Sequence, residues 1–295
     1  MNVTLINEKF NEKFNSTGEL YTSPGRINLI GEHTDYNGGF VFPGAIDKAM
    51  VAEIKPNGTD KIRAYSVDLQ DYAEFGLNEE DKPSASWACY IFGVAREIQK
   101  RGFKVEGFDT AFAGDVPLGA GMSSSAALES TFANALNELF NLGIDRFELA
   151  RIGQSTEHNY CGVKCGIMDQ FASAMGKKNH AIFLKCDDLT YDYAPLELNG
   201  MKIVLSNTKK KHSLGASKYN ERRSECETGF AILKNAMPEK NCLGEISVAE
   251  FEANKHLIED PIIQKRVKHV IYEDERVLKS LEALKNGDIA AFGEY

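Results

Sequence analysis

The sequence has 295 residues, of which 43% are hydrophobic and 26% are charged, and its formal net charge at pH 7 is −9. These values are typical of a globular protein with one large or two ordinary domains, and the acidic balance disfavours a nucleic-acid-binding surface, which needs clustered lysine and arginine. No run of about eighteen apolar residues occurs, and the polar N-terminus is unlike a signal peptide, so we expect no membrane segment and a cytoplasmic location.

The first predicted elements are short apolar stretches bounded by Gly, Pro or Asn, at residues 26–31, 49–54 and 61–67. Such stretches are typical of strands, and together they favour an antiparallel N-terminal sheet. Residues 87–102 carry apolar side chains at helical spacing and end in a glycine, which predicts a helix.

A strand, a glycine-rich loop and a helix follow one another in the middle of the chain. The strand is predicted at 107–114, and the helix at 124–140, where large apolar side chains share one face. Beyond them we predict helices at 146–160 and 166–176, strands at 181–184 and 201–206, and mainly helical structure over the rest. Strands and helices do not alternate regularly, so the sequence predicts an α+β architecture with a boundary near residues 185–200.

The six cysteines have neither zinc-site nor disulfide-framework spacing, and a cytoplasmic location favours reduced thiols. Cys161 and Cys165 are the only close pair, and no second pair or suitably spaced histidine follows them, which disfavours a metal site. The one basic run, residues 209–212, is predicted to be a solvated edge or loop.

The loop between the strand and the helix has the sequence PLGAGMSSSA, at residues 117–126. Gly119 and Gly121 allow a tight turn and a close approach to a ligand, and three serines stand where the helix begins. A helix start presents unpaired N–H groups and the positive end of the helix dipole, which favours phosphate. The loop is not a Walker motif, because Gly-Lys-Ser/Thr is missing. A helix simply capped by serine is the alternative if the loop is considered alone.

A second cluster of polar groups lies at residues 26–39, RINLIGEHTDYNGG. Glu32, His33 and Asp35 follow a predicted strand and precede a turn, so their side chains are expected to emerge together. Carboxylates accept hydrogen bonds from hydroxyl groups and histidine can donate them, which suits a sugar. The alternative is a solvated acidic turn in which Arg26 forms a structural ion pair.

A third motif, CGIMDQ at residues 165–170, places Asp169 among small and apolar residues. A carboxylate in such surroundings needs an arginine or a ligand hydroxyl, and Arg26 is a candidate partner. Glu157 lies on a predicted helix upstream and could bind Mg²⁺, which takes oxygen ligands.

Together these motifs resemble the signatures of galactokinases, within the GHMP small-molecule kinase superfamily. The resemblance includes residues 23–39, PLGAGMSSSAALE at 117–129, CGIMDQF at 165–171 and SLGASKYNERRSEC at 213–226, and it runs from about residue 20 to the C-terminus. It implies a two-lobed GHMP-kinase-like fold with the active site between the lobes. It also implies ATP- and Mg²⁺-dependent phosphorylation of galactose at its C1 hydroxyl, giving galactose 1-phosphate and ADP.

The resemblance also implies roles for individual residues. It assigns the catalytic roles to Arg26 and Asp169. The implied sugar contacts are Glu32, His33, Asp35, Gly166, Asp169 and Tyr219. The implied ATP contacts are Ser66 and Trp87 on the adenine side and Gly119, Ala120, Gly121, Met122, Ser123, Ser124 and Ser125 in the phosphate loop. The implied magnesium ligands are Ser125 and Glu157.

One departure from the family concerns the C-terminal part. Superfamily members usually carry a third motif, G-x-G-x-G-G, and none occurs between Tyr219 and Tyr295. We therefore expect a fragment or truncated product, with a sugar- and phosphate-binding lobe at residues 1–185 and an incomplete C-terminal lobe at 186–295. Missing strands would expose apolar surface and a sheet edge.

Three alternatives to a galactose kinase stay open at this point. The first is a kinase of the same superfamily that acts on N-acetylgalactosamine. The second is a galactose- and ATP-binding regulator without catalysis, a role associated with loss of residues in the SSSA loop, which is intact here at 123–126. The third is an inactive truncated lobe.

Overall fold

The computed structural model describes residues 3–117, 119–207, 209 and 215–295. Contacts divide the chain into two compact units, each made of three segments. Unit 1 comprises Met1–Arg26, Ile46–Val163 and Asp169–Met175, and unit 2 comprises Ile27–Ala45, Lys164–Met168 and Gly176–Tyr295. This division differs from two lobes that meet at residue 185, because residues 27–45 and 164–168 have most of their contacts in unit 2.

Helices and strands are mixed along the chain without a regular alternation, and the α+β prediction is confirmed. The elements are α1 (Val3–Phe14), β1 (Glu19–Asn28), β2 (Phe40–Val41), β3 (Pro43–Pro56), β4 (Lys61–Ser66), β5 (Asp71–Gly76), α2 (Ala88–Lys100), β6 (Phe108–Gly114), α3 (Ser124–Leu139), α4 (Arg146–Thr156), α5 (Met168–Met175), β7 (His180–Lys185), β8 (Tyr191–Pro195), α6 (Gly215–Ala236), α7 (Val248–Asn254), α8 (Pro261–Lys285) and α9 (Ile289–Glu294).

Unit 1 is built on a five-stranded sheet with the order β1-β3-β6-β4-β5. Its central strand β6 pairs antiparallel with β3 and parallel with β4, so the sheet is mixed rather than antiparallel. Alternate residues of β6 enter two hydrophobic clusters: Phe108 and Phe112 pack with residues of α2 and α3, and Ala111 packs with residues of α1. The continuous apolar run of this strand follows from burial of both of its faces.

Unit 2 contains the three-stranded sheet β2-β7-β8 and the C-terminal helices. The long helix α8 packs against α6, α7 and α9. Its start is well defined, because the Asp260 side chain accepts from the backbone N–H groups of Ile262 and Ile263, and Pro261 occupies the first turn. α8 also contacts the strands β2 and β8, so it joins the helices of this unit to its sheet.

Two element predictions need correction. The strand predicted at 26–31 is the end of β1, which stops at Asn28 before a turn at Gly31, where φ is +100°. Residues 201–206, all within the described part of the chain, form no strand, and Val204 is 80% exposed. A strand needs a hydrogen-bonded neighbour, and an apolar sequence alone does not supply one.

The strand predicted at 49–54 is part of the longer β3, which begins six residues earlier. The other predicted elements agree with the structure to within a few residues, and the predicted helix at 146–160 ends in a π-helical turn, Glu157–Cys161. Of the basic run at 209–212, residues 210–212 lie outside the described residues. The six cysteines, all of which are described, form no disulfide. None of the helices in the described ranges is long and apolar enough to cross a membrane.

Candidate functional site

The glycine- and serine-rich loop of unit 1 connects β6 to α3 in an unusual backbone conformation. Gly119, Gly121 and Ser123 all have positive φ angles, of 68°, 74° and 53°. A left-handed conformation is ordinary for glycine but uncommon for serine, so the loop is held in place by other contacts. The Ser123 hydroxyl does not cap α3, which leaves the first N–H groups of the helix available to an anion. Leu118 lies outside the described residues.

Arg26 and Asp169 form an ion pair beside this loop. The Asp169 Oδ1 atom accepts from Arg26 Nε at 2.8 Å and lies 2.7 Å from Nη2. Arg26 Nη1 donates to the carbonyl oxygen of Gly121 at 2.5 Å, and the Arg26 backbone N–H donates to that of Met122 at 3.2 Å. The arginine thus joins the Asp169 carboxylate to the loop.

Ser123 completes this arrangement from the loop side. Its hydroxyl donates to Asp169 Oδ2 at 2.5 Å, so both carboxylate oxygens are bound. The Asp169 side chain is 28% exposed and that of Arg26 only 12%, so a ligand can reach the carboxylate while the arginine stays covered. A carboxylate held in one orientation and open to solvent is suited to accept a proton.

Two buried carboxyl groups lie near the start of α3. Burial raises the pKa of Glu157 to about 7; a hydrogen bond from Ser125 opposes this shift and the charge of Asp169 adds to it. Burial, and then the charge of Glu157, raise the pKa of Glu129 well above its usual range. Glu129 Oε2 accepts from Gln170 Nε2 at 3.0 Å, and its Oε1 has no hydrogen-bond partner in the described part of the chain.

This set of oxygen atoms fits a hard divalent cation. The Ser125 hydroxyl and the Glu157 carboxylate are in contact, and ligand atoms of Glu129, Glu157 and Cys161 lie within 4.8 Å of one another. Mg²⁺ prefers oxygen ligands, so Ser125 and Glu157 are the better ligands and the thiol is a poor one. The unpartnered oxygen of Glu129 is consistent with a nearby positive charge.

A cavity of about 490 Å³ lies in unit 1 next to the loop. It is lined mainly by apolar residues, among them Trp87, and its polar lining residues include Ser66, Asp68, Asp115, Ser124 and Ser125. Trp87 is fixed by its indole N–H, which donates to Asp71 Oδ2 at 2.8 Å. An apolar cavity with hydroxyl groups at a helix start suits a flat, apolar group attached to phosphates.

A second polar cluster lies in unit 2, around the loop of residues 31–40, which we call the 31–40 loop. The Tyr219 hydroxyl accepts from the backbone N–H of Gly166 at 3.4 Å, and the rings of His33 and Tyr219 are 5.6 Å apart. A Cβ atom at Gly166 would lie 2.7 Å from the Cβ of Asp35, so only glycine allows this approach. The Glu32 carboxylate accepts from the Asn28 side chain at 2.9 Å.

Three side chains of α8 contact the 31–40 loop. Glu273 Oε1 accepts from the backbone N–H groups of Gly31 at 2.9 Å and Glu32 at 3.4 Å, and Asp274 Oδ1 accepts from that of Phe40 at 2.7 Å. His269 Nε2 lies 2.8 Å from the carbonyl oxygen of Glu32. No sequence motif pointed to these residues.

We expect the ionisation of the Asp274 carboxyl group to lower the free energy of unfolding as pH rises. Burial raises the pKa of Asp274 to about 8, and the charge of Glu273 adds to the shift. Between the unfolded pKa of this carboxyl group and pH 8, the folded state keeps a proton that the unfolded state has lost. The contribution of Asp274 to the free energy of unfolding is therefore complete below the unfolded pKa and disappears as pH approaches 8. Between pH 5 and pH 8 the free energy of unfolding should fall by on the order of a few kcal/mol more in the wild type than in Asp274→Asn. Urea unfolding at both pH values measures this difference, and parallel profiles would contradict it.

The structure brings the site residues predicted from the sequence together in two groups. Unit 1 holds Arg26, Asp169, Ser66, Trp87, the loop from Gly119 to Ser125 and Glu157, and unit 2 holds Glu32, His33, Asp35, Gly166 and Tyr219. Sequence reasoning missed Glu129 and Gln170, although Gln170 directly follows Asp169 in the same motif. It also missed Gly25, where a Cβ atom would lie 2.7 Å from the Met122 carbonyl oxygen.

Two family models match the sequence. The GHMP kinases N terminal domain matches residues 89–177, and the galactokinase galactose-binding signature matches residues 8–56. The first match contains the glycine- and serine-rich loop and Asp169, and the second contains Arg26 and the 31–40 loop.

Individual proteins are similar over almost the whole chain. A galactokinase of Clostridium acetobutylicum is 44% identical over 297 residues, which span 99% of this chain and 76% of the relative. A galactokinase of Fusobacterium nucleatum is 45% identical over 292 residues, which span 97% of this chain and 75% of the relative. The crystal structure of Lactococcus lactis galactokinase complexed with galactose matches with a TM-score of 0.92 and 40% identity, covering 100% of this chain and 77% of that one.

Proposed function

Because the chain belongs to the galactokinase family of sugar kinases, we propose that it transfers the γ-phosphoryl group of ATP to the C1 hydroxyl of galactose. The products are galactose 1-phosphate and ADP, and the reaction takes place in the cytoplasm. The observation that carries the proposal is the ion pair of Arg26 and Asp169 beside the glycine- and serine-rich loop. It joins a proton acceptor to a phosphate-binding backbone.

Asp169 acts as the general base. As the C1 oxygen of the sugar attacks the γ-phosphorus, its proton passes to the Asp169 carboxylate, a new oxygen–phosphorus bond forms, and the bond from the γ-phosphorus to ADP breaks. Arg26 orients the carboxylate through two N–H groups and adds positive charge where the phosphoryl group gains negative charge. Ser123 holds the second carboxylate oxygen until the sugar hydroxyl replaces it.

ATP is bound by the loop and the neighbouring cavity of unit 1. The adenine enters the apolar cavity lined by Ser66 and Trp87, and the phosphates meet the first N–H groups of α3 and the hydroxyls of Ser123 to Ser125. Ser125 and Glu157 would hold Mg²⁺, which would supply positive charge to the triphosphate. Charge neutralisation and positioning are the main requirements of phosphoryl transfer.

Galactose is bound through the hydroxyl-recognising groups of unit 2. Glu32 and Asp35 accept from sugar hydroxyls, while His33, the backbone of Gly166 and the Tyr219 hydroxyl exchange hydrogen bonds with others. The Lactococcus lactis relative was solved with galactose bound, and the galactose-binding signature matches the segment that carries Glu32, His33 and Asp35.

A coupled assay of ADP release tests this proposal. The protein is given ATP and Mg²⁺ with galactose, glucose, N-acetylgalactosamine or mevalonate, and we expect release with galactose alone. Release only with N-acetylgalactosamine would overturn the choice of sugar. Thermal stabilisation by galactose and ATP without release would indicate the non-catalytic regulator, and neither response would indicate an inactive lobe.

A further inference from the structure

The 31–40 loop carries three of the proposed sugar contacts, and it is held at both ends by one helix. At its start, the backbone N–H groups of Gly31 and Glu32 donate to Glu273; at its end, the N–H of Phe40 donates to Asp274. The carbonyl of Glu32 can only accept, so the ring N–H of His269 is the donor in that contact. Positions 269 and 273 lie on one face of α8 because they are four residues apart, and Asp274 is the next residue of the helix after Glu273.

The fit between the loop and the helix is close. A Cβ atom at Gly39 would lie 2.8 Å from Asp274 Cγ, so the loop backbone packs directly on the carboxyl group. Glu273 is fixed in turn by Arg276, whose Nε donates to Glu273 Oε2 at 2.9 Å. Inside the loop, the N–H groups of Asn37 and Gly39 donate to the carbonyl of Thr34, and the Thr34 hydroxyl lies 2.9 Å from the carbonyl oxygen of Gly31 and 2.6 Å from that of Phe40. These bonds hold the loop closed, while the bonds to Glu273 and Asp274 hold it on α8.

Two adjacent buried carboxyl groups destabilise a helix unless hydrogen bonds offset the free energy of removing them from water. Glu273 is 7% exposed and Asp274 6%, and Asp274 Oδ2 has no hydrogen-bond partner among the described residues. A buried acidic group costs free energy unless its hydrogen bonds compensate. Here Glu273 Oε1 and Asp274 Oδ1 accept from the loop backbone, and only Glu273 Oε2 accepts from a residue of α8, Arg276. Apolar residues at these positions would pack without this cost, but they could not hold backbone N–H groups.

We propose that Glu273 and Asp274 are positioning residues that set the affinity for the sugar by fixing the 31–40 loop, with His269 as a third anchor. The inference rests on the proposed function, because it assumes that Glu32, His33 and Asp35 contact galactose. The two carboxyl groups bind the loop backbone and do not touch the substrate. Their loss therefore weakens sugar binding and leaves ATP binding unchanged.

Kinetics of single variants test this inference. For Asp274→Ala and Glu273→Ala we expect the KM for galactose to rise by about tenfold or more, with a KM for ATP within about twofold of the wild type. Asp274→Asn keeps an acceptor for the Phe40 N–H and is expected to restore a galactose KM within about threefold of the wild type. Glu275→Ala is the matched control, because Glu275 is on the same helix but pairs with Lys279 at the surface.

His269→Ala keeps the test decisive if the buried variants do not fold. His269 is exposed, so its replacement should not affect folding, and we expect a rise of about threefold or more in the galactose KM. Folded variants with an unchanged galactose KM, or with equal rises in both KM values, would overturn the inference.

Calorimetric titration with galactose separates this inference from the proposed function. If the wild type binds galactose but does not turn it over, the proposed catalysis fails, and the dissociation constants of the same variants still test the positioning role. If the wild type binds no galactose, both proposals fail.

Discussion

Asp169→Asn is expected to lower the turnover number of the proposed galactose kinase by about 10³-fold while leaving the KM for ATP nearly unchanged. The amide keeps the size of the side chain and can still accept one hydrogen bond from Arg26, but it cannot take a proton from the sugar hydroxyl. Because the Asp169 side chain is 28% exposed, the change should affect chemistry far more than stability. Steady-state rates at saturating ATP and galactose measure the loss.

Asp109→Asn is a matched control for this variant. Asp109 is also paired with an arginine, Arg63, through two hydrogen bonds, and it lies in β6 of the same unit. The Asp109→Asn change also removes one negative charge from an arginine–aspartate pair, but this pair lies outside the proposed site. We therefore expect lower stability and a turnover number within about twofold of the wild type. Turnover near the wild-type value in Asp169→Asn would show that Asp169 only positions the sugar.

Arg26→Ala is expected to lower the turnover number by about 10²-fold or more. The variant loses the two N–H groups that orient Asp169 and the bond to the Gly121 carbonyl, so the base and the loop both lose their support. Arg26→Lys keeps the charge but not the planar fork, and its turnover number should fall between those of the alanine variant and the wild type. Initial rates over a range of both substrates measure the effects.

Arg63→Ala controls for the loss of an arginine–aspartate pair as such. The Arg63 side chain is 40% exposed and lies at the sheet, so this variant should change the turnover number by less than about twofold. Arg26→Ala and Arg63→Ala with equal activities would contradict a specific role for Arg26. An Arg26→Lys variant as active as the wild type would show that only the charge matters.

Sequence reasoning succeeded where chemistry or periodicity was local. The strand, loop and helix from residue 107 to residue 140 were predicted with their boundaries nearly correct, because glycines and serines mark the turn between two apolar segments. The pairing of Arg26 with Asp169, separated by 143 positions, was predicted from one requirement, that a carboxylate with apolar neighbours needs a cationic partner.

Sequence reasoning failed where the partner of a residue decides its role. Glu273 and Asp274 occur in a helix rich in charged residues, a pattern that is typical of a solvated face, and nothing in it indicates which carboxylates are buried. The segment 201–206 is apolar enough for a strand, but strand formation depends on a neighbour that the sequence does not specify. The Ser123 hydroxyl was assigned to phosphate, and its bond to Asp169 could not be predicted because it depends on a left-handed backbone angle.

Each unit consists of three separate chain segments, which affects the folding of the chain during synthesis and the choice of gene fragments. A gene fragment that stops at residue 163 would lack α5, whose Phe171 is fully buried against Phe147 in unit 1. During synthesis, we therefore expect the core of unit 1 to be completed only after residue 175 has left the ribosome. The 31–40 loop waits longer still, because Glu273 and Asp274 are synthesised more than two hundred residues after it. We thus expect the 31–40 loop of a nascent chain to reach its final conformation only after the synthesis of α8.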